Sequence, residues 1–192
     1  MNLLTGILSA FGLSASAGLN AYIPLLVVAL LARFTEVIHL TAPWDTLENS
    51  WVIGALTVLL LIEFFADKIP AINHINDAIQ TFVRPTAGAI AFAASAGVIS
   101  DSHPAFSLIL GLLVAGGVHA TKSLAIRPAV TATTGGVGNV PVSILEDVIS
   151  TVFSILAVII PVLFVAFAII FTAWLVWWLW RRANRMQVIQ RS

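Results

Sequence analysis

Long apolar runs, separated by three short stretches that hold most of the charge, set the pattern of this chain. The charged stretches are residues 63–84, 122–147 and 181–192. Residues 3–32 carry no charge and are too long for one simple crossing; Gly6, Gly12, Gly18, Asn20 and Pro24 interrupt them, which predicts a kinked or broken first helix. Residues 51–66 form a second span. After Asp67-Lys68-Ile69-Pro70 comes an amphipathic piece at 73–83, ending at Arg84-Pro85, and then a short span over 86–100. That span is rich in Ala and Gly, which lets helices approach closely. Asp101-Ser102-His103-Pro104 reads as a polar turn, with Pro104 in the first turn of a fourth span over 105–123. The glycine-rich segment 131–141 reads as a loop. Residues 148–180 are one uncharged run, about 50 Å long as a helix against a hydrocarbon core of about 30 Å. It is either a long tilted helix or two short spans turned near Pro161.

Composition turns this pattern into a class. Charged residues make up 9% of the chain and apolar residues 59%, so a water-soluble fold of 192 residues would lack the polar surface to cover its core. The expectation is an all-α polytopic membrane protein: one transmembrane domain over 1–192 with the lipid bilayer as its solvent. Zero net charge argues against a nucleic-acid partner. The absence of cysteine excludes disulfides, thiolate metal sites and Cys nucleophiles. No Lys or Arg precedes the first apolar run, which therefore reads as a span and not as a cleaved signal.

Charge bias sets the expected orientation. Six crossings put Lys68, Arg84, Lys122, Arg127 and the four tail arginines on the cytoplasmic side; five, with the tail inside, put the first four outside. Six crossings of the bacterial inner (plasma) membrane, both termini cytoplasmic, is the expected topology. The Trp174, Trp177, Trp178, Trp180 cluster before Arg181-Arg182 reads as an interfacial belt with a basic cytoplasmic tail, 181–192.

Two short patterns recur in the same order. Residues 17–22 (Ala-Gly-Leu-Asn-Ala-Tyr) match 116–121 (Gly-Gly-Val-His-Ala-Thr), and 73–81 match 143–151, bringing Asp77 into register with Asp147. An internal duplication is expected, with halves at about 3–100 and 104–180 and a longer connection in the first copy. Transporters are often built this way, with sites where the repeats meet.

The candidate chemistry follows from the charged stretches. Ser143-x-x-Glu146 has the form of a capping box, and Asn73-x-x-Asn76 can do part of the same work, which would place Asp77 and Asp147 in the first turns of helices. Either these residues only cap, or they also bind a cation or proton. Glu63 and Asp67, four apart, share a helical face, with Lys68 in reach of both. Glu63 lies a turn deeper and is the leading candidate for a proton-exchanging group, the alternative being a carboxylate permanently paired with a cation. His119 and Lys122 are three apart on the fourth span. There a histidine titrates near neutrality, binds an anion, or simply bonds to a neighbouring helix. Thr134-Gly135-Gly136-Val137-Gly138-Asn139 suggests a backbone nest for an anion, or a plain loop, and it lacks the Gly-Lys-Ser/Thr ending of a P-loop. With Arg84, Arg127 and Asp147 these residues make up the expected pathway. The four histidines show no metal-ligand spacing, and no nucleophile elbow or Ser-His-Asp arrangement is legible.

The blocks at 63–70 (Glu-Phe-Phe-Ala-Asp-Lys-Ile-Pro), 84–89 (Arg-Pro-Thr-Ala-Gly-Ala) and 133–139 (Thr-Thr-Gly-Gly-Val-Gly-Asn), with Ser143 and Glu146-Asp147, resemble an uncharacterised family of small bacterial integral membrane proteins, a domain of unknown function. The resemblance runs to about Ile160. Val140 departs from it, standing where the family pattern passes directly from Asn to Pro. The resemblance implies the fold and marks the polar blocks as family features; it implies no substrate.

The functional expectation is a secondary transporter or channel for a small ion or metabolite, forming a homodimer. Lys122, Arg127, Arg84 and the glycine loop tilt it toward an anion. A membrane scaffold or lipid-interacting protein is the alternative. No enzyme activity, cofactor or metal is expected.

Overall fold

The computed structural model describes residues 3–97, 103–161, 169–174, 176–178 and 181, with the backbone alone for 3 and 70–75. All regular structure among these residues is helical: α1 (Leu3–Leu19), α2 (Tyr22–Phe34), a 3₁₀ turn (Trp44–Glu48), α3 (Ser50–Ala66), α4 (Pro70–Ser95), α5 (Pro104–Thr121), α6 (Arg127–Thr134) and α7 (Asn139–Ile159). Pro104–Thr134 and Asn139–Ile159 are long and apolar enough to cross a membrane; Leu4–Leu19, Tyr22–Phe34 and Ser50–Ala66 are shorter apolar helices. Residues 169–174 and 176–178 are also helical, and the Arg181 guanidinium lies 4.3 Å over the Trp177 ring.

Charged side chains lie inside beside an apolar core that includes Leu13, Val28 and Phe92, while large apolar side chains also cover the outside. Arg84, Lys122 and Glu63 are among the largest fully enclosed side chains, while Trp51, Ile62, Phe65, Ile109, Leu113 and Val148 stand exposed. In water that arrangement would expose apolar surface and strand charge. In a bilayer the same outward surface meets its natural solvent.

Pairwise contacts fix the helix directions. Gly6 meets Ser95, the Phe11 and Phe92 rings pack edge-on at 5.1 Å, and Ser14 meets Gly88, so α1 and α4 are antiparallel. Ser14 Oγ donates to the Gly111 carbonyl at 2.7 Å and Gly18 abuts Ala115, so α1 and α5 run parallel. Ser9 donates to Ala157 O, and Ser150 to Ser16 O, which makes α7 antiparallel to α1. Asp67 meets Asn76 while Glu63 meets Arg84, and Ala21 meets Glu63 while Arg33 meets Glu48; α3 is therefore antiparallel to both α4 and α2. Consequently α1, α3 and α5 run toward one end of the bundle, and α2, α4 and α7 run away from it. Small residues make the α1–α4–α5 seam dry and tight: a Cβ added to Gly88 would lie 2.2 Å from that of Ala115, and one added to Gly111 would lie 2.4 Å from Gly88 O.

Four expectations change. The first apolar run is broken, as its interruptions predict, but into two oppositely directed helices rather than one interrupted span, because Asn20 ends α1 and its Oδ1 accepts from the Tyr22 and Ile23 N–H groups to start α2. No break occurs at Arg84-Pro85: α4 runs through it, and Pro85 lies opposite Gly116 of α5, where an added Cβ would stand 3.7 Å from the proline ring. The glycine-rich loop shrinks to residues 135–138, since 127–134 are helical. The capping boxes are absent, because α4 starts at Pro70 and α7 at Asn139, two residues ahead of Pro141, which a first helical turn tolerates. Asp77 and Asp147 thus sit two turns inside their helices. The expected turn at Asp101-Ser102, the choice of one or two spans beyond Pro161 and the tail beyond Arg181 fall outside the described residues.

Candidate functional site

The break between α1 and α2 frees backbone groups that a continuous helix would pair internally. Leu19 O accepts from Lys122 Nζ at 3.3 Å, and Ala21 N donates to Glu63 Oε2 at 3.2 Å. A cation thus sits at the C-terminus of α1 and a carboxylate at the N-terminus of α2, the signs that the two helix dipoles favour. Lys122 reaches the break because α5 widens there into a single π-helical turn, Lys122–Ile126, a feature frequent at functional sites.

Around this break the buried charges form one network. Glu63 Oε1 accepts from Arg84 Nη2 at 2.9 Å and from Nε at 3.2 Å. Asp67 is its hub: Oδ1 accepts from Asn76 Nδ2 at 2.9 Å, and Oδ2 accepts from Arg127 Nη2 at 2.8 Å and Ser143 Oγ at 2.9 Å, with Lys122 Nζ at 3.7 Å. Lys122 Nζ lies 2.7 Å from Glu146 Oε2, close enough for an ion pair though not aligned as a hydrogen bond. Arg127 Nη1 reaches Asp77 Oδ2 at 3.2 Å, and its Nη2 stands 3.7 Å from Glu146 Oε2. Arg84 Nη1 lies 3.3 Å from His119 Nδ1, and His119 Nε2 lies 3.2 Å from Thr81 Oγ1. Guanidinium only donates, and the Thr81 hydroxyl already donates to Asp77 O; the network therefore assigns His119 the neutral tautomer with its proton on Nε2.

A second, smaller group lies beside the first. Lys68 Nζ meets Asp147 Oδ2 at 2.9 Å, donates to Phe64 O and stands 3.4 Å from the centroid of the Phe64 ring, and Asn20 Nδ2 donates to Asp147 Oδ1 at 2.9 Å.

Of the residues expected from sequence, Glu63, Asp67, Asp77, Arg84, His119, Lys122, Arg127, Ser143 and Glu146 meet in the first network, and Lys68 and Asp147 in the second. Lys68 pairs across the bundle with Asp147 and not with Glu63 or Asp67. Thr134, Gly135, Gly136 and Asn139 stand apart in the α6–α7 turn. Gly135 and Gly136 take positive φ there, Gly138 N donates to Thr134 Oγ1, and Asn139 Nδ2 donates to Thr131. The side chain of Asn73 falls outside the described residues. Sequence reasoning missed Gln80, which is buried and shares a helical face with Asp77 and Arg84. That i, i+3, i+7 spacing was the signal for it.

Among the described residues, no group of three or more His, Asp or Glu is arranged to hold a metal ion. No curated protein and no solved structure matches this chain. Residues 7–182 match the family described as a domain of unknown function, DUF4126, and the chain, with its buried charge network at a helix break, belongs to that family.

Proposed function

We propose that this protein is an integral membrane transporter or channel for a small ion, with the charge network at the α1–α2 break as its ion site. The observation that carries the reading is the break itself, a discontinuous helix whose freed backbone ends face buried ionisable side chains. Irregular backbone and unshielded charge are tolerated at membrane depth where they serve a pathway. The bundle is sealed on one side of the site by the α1–α4–α5 glycine seam. On the other side Asp77 keeps its side chain 24% exposed, which fits a site open or nearly open to one compartment.

The helix directions support a duplicated chain with parallel halves: α1 corresponds to α5 and α4 to α7, with the α2–α3 hairpin as the longer connection. The two matched patterns then point the same way, and each half's first helix packs on the other half's last, Asn20 on Asp147 and His119 on Thr81. With the basic cluster cytoplasmic by charge bias, this order puts the N-terminus on the opposite side of an inner membrane.

A structural reading has one observation in its favour: Arg84, Lys122, Arg127 and Lys68 each face a carboxylate, as in a scaffold locked by ion pairs. The same pairing removes the support for an anion. Flux measurements on purified protein in liposomes, for protons, chloride, phosphate and alkali cations, separate these readings. Loss of a flux in both Asp77→Asn and Asp147→Asn, with the variants still folded, supports the pathway. No flux for any of these ions leaves the scaffold.

A further inference from the structure

The first network is not balanced. Among the described residues, four carboxylates, Glu63, Asp67, Asp77 and Glu146, face three cations, Arg84, Lys122 and Arg127, while His119 is held neutral between Arg84 and Thr81. Lys68 and Asp147 balance each other outside this count. One surplus negative charge on a network whose other three carboxylates are enclosed is costly, so something positive belongs with it.

The unpaired acceptors locate the surplus. Glu63 and Asp67 use both carboxylate oxygens in hydrogen bonds. Glu146, its side chain 8% exposed, makes no aligned hydrogen bond through either oxygen among the described residues, its 2.7 Å approach to Lys122 being an ion pair alone. Asp77 Oδ1 and the buried Gln80 Oε1 also lack hydrogen-bond partners among the described residues. Asp77 and Glu146 lean on the same cation, Arg127, which Asp67 holds more tightly, at 2.8 Å against 3.2 and 3.7 Å.

We infer that Asp77 and Glu146 share one exchangeable proton, entering at the exposed edge of Asp77, and that the ion moved through the site is the proton. This rests on the ion-pathway reading above. A metal cation fits less well, because among the described residues no group of three or more His, Asp or Glu is arranged to hold one. A proton on Oε1 needs no further ligands and turns a stranded acceptor into a donor. Uptake forms an O–H bond on a carboxylate oxygen and breaks one in hydronium, leaving water; release is the reverse. The groups that govern it are Lys122 on the π turn, Arg127 on α6, Asp67 after α3, Asp77 and Gln80 on α4, and Ser143 on the helix of Glu146 itself.

The test is infrared difference spectroscopy of the protein in lipid, titrated with acid in light and heavy water, reading the carbonyl stretch of a protonated, buried carboxyl. The expected result is one such band, shifted in heavy water, in the wild type. Removing either surplus carboxylate balances the network, so the band disappears in Glu146→Gln and in Asp77→Asn while it survives in Glu36→Gln, a change at an exposed loop residue. Asp77→Asn lies at the edge of the network and keeps the test meaningful if Glu146→Gln does not fold. Absence of the band, its survival in both variants, or its replacement by sodium- or potassium-dependent thermal stabilisation overturns the inference. The readout needs no transport: a band without flux defeats the pathway but not the proton site, and flux without a band does the opposite.

Discussion

The Asn20 carboxamide joins α1 to α7 by donating to Asp147 Oδ1 at 2.9 Å, while its own Oδ1 accepts from the first N–H groups of α2. One side chain therefore ends a helix, starts another and orients a carboxylate held by Lys68. Asn20→Ala removes the cap, worth about 1 kcal/mol, and leaves Asp147 one donor short, worth about 1.5–3 kcal/mol for a bond to a charged group. We expect a clear fall in unfolding temperature in detergent, with Asn20→Asp no better because it sets two carboxylates face to face. An unchanged melting profile for Asn20→Ala would show that the break is held by packing alone.

Arg84 is enclosed between Glu63 and His119, and neither partner has another cation as close. Arg84→Met strands the Glu63 carboxylate and should destabilise the fold by about 3–5 kcal/mol, the usual consequence of breaking a buried pair from one side. The double variant Arg84→Met/Glu63→Gln should recover most of that loss. Chemical denaturation of the three proteins gives the coupling directly. Equal damage in the single and double variants would mean that Arg84 acts by its size.

The seam gives the sharpest steric contrast. Gly111→Ala places a methyl 2.4 Å from Gly88 O, and Gly88→Ala places one 2.2 Å from Ala115 Cβ, so backbones must separate. Overpacking of this kind costs about 1–3 kcal/mol. At Gly54 nothing lies within 4 Å, and Ala there should be neutral or slightly stabilising, by up to about 1 kcal/mol. Thermal unfolding of the three variants side by side tests the helix packing; equal behaviour at Gly54 and Gly111 would contradict it.

Much of this was legible in the sequence, and the gaps have physical causes. Charge scarcity placed Glu63, Asp67, Lys122 and Arg127 together, because an apolar bundle leaves buried ions few places to go. The end of α3 at Ala66 and Pro104 at the start of α5 followed from local punctuation. The continuation of α4 through Pro85 did not, since a proline read locally marks a helix end and α4 packs along α5 across it. Capping patterns at Ser143 and Asn73 were misleading for a related reason: Ser143 faces Asp67 from another helix, and no local rule reveals a partner 76 residues away. Asn20 was the most informative single position missed as a turn, because one polar residue in an apolar run looks the same whether it kinks a helix or reverses the chain.

That reversal has a consequence for topology that accessibility measurements can check. If α1 and α2 run in opposite directions, the N-terminus lies on the same side as the α2–α3 loop that contains Glu36, and opposite the α6–α7 turn that contains Val137. A single kinked span would instead put the N-terminus with Val137. The chain has no cysteine, so single reporters need no background removal. With a cysteine-bearing tag at the N-terminus, Glu36→Cys and Val137→Cys, a membrane-impermeant maleimide applied to intact cells should label the first two and spare the third until the membrane is permeabilised. The basic residues at 68, 84, 122 and 127 then stand on the side of Val137, as charge bias requires. Labelling of the N-terminal tag together with Val137 would restore the single first span and dissolve the parallel repeat, because α1 and α5 would no longer run the same way.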